Sequence, residues 1–86
     1  MKPITVKTRA IPPTDCDPWM IEVRVYGAYG ADTSRHPYPP GDEPMSAHLD
    51  AARRAVSDRY RDGGIMIELS RETPRGYEFR VSWPGE

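Results

Sequence analysis

An 86-residue chain with 12 Lys+Arg against 13 Asp+Glu has room for one domain, and its net charge near −1 supplies no bulk attraction to a polyanion. The single Cys excludes a disulfide scaffold, and no apolar run approaches the roughly 18 residues of a spanning helix. Leu, Ile, Val and Phe are sparse beside 10 Pro, so the chain reads as folded but core-poor, a state that small domains often complete with a second subunit.

Ile4, Val6 and Thr8 alternate with Thr5, Lys7 and Arg9, the pattern of a half-buried strand. Pro12-Pro13 and the run from Thr14 to Pro18 break regular structure. Trp19, Ile21, Val23 and Val25 then alternate with Met20, Glu22, Arg24 and Tyr26 in a second strand rich in β-branched residues. Residues 27–44 read as a long Pro/Gly-rich loop, and connections beyond about 12 residues are uncommon and often functional.

Asp42, or alternatively Ser46, can cap a helix that carries Pro44 in its first turn. The helix is expected to reach about Asp62, with Gly63-Gly64 as a left-handed stop. Met45, Leu49, Ala52, Val56 and Tyr60 fall on one stripe. Asp50–Arg54 and Arg54–Asp58 are spaced to pair on the solvated side. Ile65, Ile67 and Leu69 alternate in a third strand, residues 71–76 read as a hairpin turn, and Tyr77, Phe79, Val81 and Trp83 alternate in a fourth.

The order is ββαββ, which predicts a single α+β domain over residues 1–86: a mostly antiparallel four-stranded sheet with one helix on one face. The expected buried face holds Ile4, Val6, Ile21, Val23, Val25, Ile65, Ile67, Leu69, Phe79 and Val81.

Chemistry-bearing motifs are few. Cys16 lies between Asp15 and Asp17, whose charges oppose a reactive thiolate, so it reads as a turn residue. His36 and His48 have no metal-ligand spacing, and neither a metal nor a cofactor is expected. Gly27-Ala28-Tyr29-Gly30 matches GxxG but follows a strand, and reads as glycines turning the chain away from the sheet. No nucleophile–base pair or phosphate loop is visible, so the expectation is a binding protein, not an enzyme.

Two candidate binding sets emerge. Tyr26, Tyr29, Arg35, His36 and Tyr38 bring the Tyr and Arg enriched at protein-binding hot spots to a proline-stiffened segment. Trp19, Tyr77 and Trp83 sit near strand ends that one helix cannot cover, and predict self-association, with a homodimer the favoured closed form. The alternative is a nucleic-acid-binding module using the outer sheet face, where Lys7, Arg9, Arg24 and Arg80 accompany Tyr26. The same face carries Glu22, Glu68 and Glu78, which read as cross-strand pairing and weigh against nucleic acid. One unpaired Cys and an N-terminus without an apolar leader core point to the cytosol and away from membranes. The absence of Asn and Gln, with ten Arg to two Lys, fits a GC-rich bacterial or phage genome.

Overall fold

A computed structural model describes residues 3–27, 30–39, 41, 43–60 and 64–83. Among these residues the fold is α+β, with one helix and five strands in the order β1 (Ile4–Ile11), β2 (Met20–Gly27), β3 (Gly30–Pro37), α1 (Pro44–Arg59), β4 (Met66–Thr73) and β5 (Gly76–Ser82). The sheet is antiparallel throughout, with spatial order β3-β2-β1-β5-β4.

The fifth strand corrects the sequence reading of residues 27–44. Residues 30–37 are not loop but an edge strand paired along its whole length with β2, from Gly27↔Gly30 to Met20↔Pro37. Its sequence, GADTSRHP, has no apolar alternation to announce it. A polar edge strand is how sheets avoid pairing with other chains. Pro37 lacks an N–H and sits at the strand's end, and the next residue, Tyr38, donates to the Trp19 carbonyl at 3.2 Å. Gly30 takes φ +105°, a conformation that favours glycine. Ala28 and Tyr29 lie outside the described residues.

The helix begins one residue after the expected Asp42, which lies outside the described residues. Glu43 is the N-cap, in an extended conformation, with no side-chain capping bond. The Pro44 ring restricts the residue before it to extended backbone and is itself well suited to a first helical position. At the other end the helix stops at Arg59, short of Asp62. Tyr60 turns extended, its N–H donating to the Val56 carbonyl at 2.7 Å.

The helix face is rotated from the one expected, although Ala52 and Val56 of the predicted stripe are buried. Its fully buried residues are Ala47, His48, Ala51, Ala52, Ala55 and Val56, while Met45, Leu49 and Tyr60 lie partly buried on the flank. Alanine adds little to an apolar stripe but lets a helix backbone approach a sheet closely. The bulky residues therefore close the sides of the layer while the small ones form its contact. The helix packs chiefly on β2, β1 and β5. Beneath it lie Ile4, Val6, Ile21, Val23, Val25, Phe79 and Val81, joined by Ile65.

Two expected core residues are not buried. Leu69 is 42% exposed and Ile67 only half-buried, because β4 is the far edge of the sheet, beyond the helix's main footprint. The expected turn at 71–76 is also shorter. Strand pairing runs to Thr73↔Gly76, so Pro74 and Arg75 alone connect β4 to β5. A bulge at Ser70 shifts the register, so that Leu69 faces Phe79 but Arg71 faces Glu78. The extra residue turns Arg71 to the sheet face opposite Leu69.

Candidate functional site

The sheet end nearest the helix N-terminus gathers aromatic side chains from four segments. Trp19 precedes β2, Tyr38 follows β3, His48 lies in the second turn of α1, and Tyr77 opens β5. Their rings form an edge-to-face ladder. Trp19 and Tyr38 have centroids 6.5 Å apart, Tyr38 and His48 5.9 Å, and His48 and Tyr77 5.0 Å, all T-shaped. That geometry sets the positive ring edges against negative faces.

The ladder lines a cleft of about 550 Å³, walled by Trp19, Tyr38 and Tyr77 and by Pro12, Pro44 and Pro74, with Glu72 and Arg75 also in its lining. A second hollow of about 650 Å³ adjoins it. The two share Ala10, Trp19 and Tyr38, and the second is completed by Pro18, Pro37, Pro39 and Gly41. Trp19 and Tyr38 are thus a ridge between a cleft of mixed polar and apolar lining and a mainly apolar hollow, and Trp19 is 50% exposed.

His48 is buried at 2% exposure. Its Nδ1 lies 2.7 Å from Thr8 Oγ1, and that hydroxyl donates to the Tyr77 carbonyl at 3.3 Å. A hydroxyl has one proton. With that proton on the carbonyl, Oγ1 accepts from Nδ1–H, which assigns the Nε2 atom its lone pair. Burial holds the imidazole pKa below its usual value, so the ring is neutral at pH 7. The bond ties the helix to the central strand β1 and orients the ring that carries Tyr38 and Tyr77.

The sequence-predicted sites are redistributed. Trp19 and Tyr77, expected in one set, and Tyr38, expected in the other, meet in this cleft. Trp83 lies against Tyr60, with centroids 5.6 Å apart, away from the ladder. Tyr26 and Arg35 are on the opposite sheet face, where Lys7 sits 5.5 Å over the Tyr26 ring and Arg35 reaches Glu22 at 3.5 Å. His36 lies on the helix side of β3, its Nε2 2.9 Å from Ser34 Oγ. Burial, opposed by Asp58 and aided by Arg54, lowers its pKa. Tyr29 lies outside the described residues.

His48 and Thr8 were missed as site residues. A helix stripe centred on Ala47, Ala51 and Ala55 would have placed His48 inward. Cys16 is exposed in a turn organised by Thr14, whose Oγ1 accepts from the Asp17 N–H at 3.1 Å. Among the described residues no cluster of His, Cys, Asp and Glu could hold a metal ion, and no helix is long and apolar enough to cross a membrane. Comparison with protein-family models, curated proteins and solved structures returns no match.

Proposed function

We propose that this protein is a small interaction module whose aromatic cleft takes an apolar segment of a protein partner, and that its role is binding and not catalysis. The observation that carries this reading is Trp19: a half-exposed indole on the wall of a mainly apolar hollow, beside a cleft of mixed lining and backed by a ladder of rings. Trp and Tyr dominate binding hot spots because they bury large area at small entropy cost. The proline-lined walls are stiff before a partner arrives, which reduces the ordering that docking requires. Immobilised protein exposed to lysate of its source cell should capture a partner, and Trp19→Ala should abolish capture with its melting temperature unchanged. Equal capture by the variant would sink the cleft as the docking site.

Self-association is the second reading, favoured by β4. This edge strand leaves Leu69 42% and Met66 51% exposed, one on each face. Unpaired edges with bare apolar side chains recruit other chains. A concentration series in light scattering should show a dimer that Leu69→Lys dissociates. A mass that stays monomeric up to about 100 μM excludes a dimer tighter than that value.

A further inference from the structure

The sheet face opposite the helix is open, and its register changes its charge. Sequence alternation gives that face four cations and three carboxylates. The structure adds two more cations. Arg35 arrives because residues 30–37 form β3, with Arg35 across from Glu22. Arg71 arrives because the bulge at Ser70 turns it to lie across from Glu78. Lys7, Arg9, Arg24, Arg35, Arg71 and Arg80 therefore stand against Glu22, Glu68 and Glu78, on a chain whose overall net charge is −1.

Pairing leaves this excess in place. Glu22 is shared by Arg9 at 3.0 Å and Arg35 at 3.5 Å, and Glu78 by Lys7 at 3.7 Å and Arg71 at 3.5 Å. Each carboxylate thus offsets one of the two cations it touches. Arg24 meets Thr33 Oγ1 at 3.4 Å. A groove of about 450 Å³ runs along this face past Lys7, Arg9, Arg24 and Tyr26, with one carboxylate, Glu22, and Arg75 of the β4–β5 turn also in its lining. Tyr26 is 37% exposed, and the Lys7 ammonium lies over its ring.

We propose that this open face binds single-stranded nucleic acid, with Lys7, Arg9, Arg24 and Arg75 on successive phosphates and a base stacked on Tyr26. The Lys7 contact and the 37% exposure of Tyr26 leave an electron-rich ring face within reach of a ligand. A base that takes the ring displaces the ammonium toward the phosphate that arrives with it. Single strands fit better than a duplex, because the face offers neither a helix nor a protruding ribbon to enter a groove.

The test is fluorescence anisotropy of a labelled oligothymidine of about 20 nucleotides, titrated with the whole protein at several salt concentrations. With four phosphates contacted, the single-strand slope of about −0.7 per phosphate predicts an affinity loss of roughly 50-fold between about 50 and 200 mM salt. Arg24→Ala should weaken binding and cut that loss to roughly 20-fold, the slope for about three phosphates. Tyr26→Ala should weaken binding at an unchanged salt slope, and Arg35→Ala serves as a second charge variant if Arg24→Ala melts early. Trp19→Ala should bind as wild type does, which separates this surface from the cleft. The proposal is overturned by no binding at about 50 mM salt, by equal competition from polyglutamate, by tighter binding of a duplex of the same length, or by wild-type binding in both Arg24→Ala and Tyr26→Ala.

Discussion

The Thr8–His48 bond joins residues 40 positions apart and sits under the aromatic ladder, so it offers a quantitative handle on the cleft's support. Thr8→Val keeps the side chain's shape but removes the hydroxyl. The His48 Nδ1–H is then buried without its acceptor, which costs about 1–3 kcal/mol. His48→Phe leaves the Thr8 hydroxyl on the Tyr77 carbonyl and should cost less. In the double variant both polar partners are gone and two apolar groups meet, a replacement that can be nearly neutral. The cycle should therefore show a favourable coupling of about 1–2 kcal/mol between the two positions. A domain this size has about 4–13 kcal/mol of stability in all, and each kcal/mol moves its melting point about 4–8 °C. Thr8→Val alone should then melt roughly 10 °C below wild type. Urea and thermal unfolding of the four proteins, followed by far-UV circular dichroism near pH 7.5, measures each corner. Effects that add within about 0.3 kcal/mol would refute the bond as a support of the cleft.

Other consequences are read with the same assays. Val56→Asp places a charge where exposure is 0% and should unfold the protein, while Leu49→Asp, on the half-buried flank, should cost only about 1–2 kcal/mol; equal damage from both would restore the helix face expected from sequence. Gly76→Ala should lower the melting point sharply, because a Cβ there would run into the Thr8 carbonyl across the β1–β5 pair, and a melt within about 2 °C of wild type would show that the strands can part without loss. Burial depresses the pKa of His48 and His36 below 6.5, so the unfolded chain takes up protons first; stability should be complete above about pH 6.5 and fall as pH drops toward the folded-state values, with His48→Phe flattening this limb in pH-dependent urea melts. Glu22 is held below 4.5 chiefly by the hydrogen bond from Arg9, and its contribution should vanish only as pH falls below 4.5, a loss that Glu22→Gln removes.

The strands that carry the core were legible because one face of each is buried. β1, β2 and β5 alternate apolar and polar residues, and that period was enough to place Ile4, Val6, Ile21, Val23, Phe79 and Val81 inside. β3 was invisible for the complementary reason. Its helix-side residues Ser34 and His36 are polar and half-buried, its other face carries Thr33 and Arg35, and its pairing with β2 is a tertiary fact that no local pattern encodes. The helix was found but turned. A stripe of large apolar residues is the strongest local signal, whereas the contact with the sheet is made by alanines that leave almost none. Leu69 was misjudged by the same logic in reverse, since its alternation is regular and only its position on the far edge strand exposes it.

The candidate surfaces were partly legible as residue types and not as groupings. Trp19, Tyr38 and Tyr77 each stood out in sequence, but what unites them is the end of the sheet at which their segments finish. His48 completes the ladder because the alanine face points inward, and Thr8 because β1 is the sheet's central strand. The outer face shows the same dependence more sharply. In a four-stranded sheet with unbroken alternation, its cations and carboxylates nearly cancel. One polar edge strand and one inserted serine bring Arg35 and Arg71 to that face and leave it positive. Arg71 shares Glu78 with Lys7, so Arg71→Ala leaves that carboxylate to Lys7 alone and should lower nucleic-acid affinity and flatten the salt slope. Deleting Ser70 should change neither, because Arg71 then follows Leu69 directly and stays across from Glu78 on the outer face. An Arg71→Ala variant that folds and keeps the full salt slope would show that the register's added cation does not set the charge of this face.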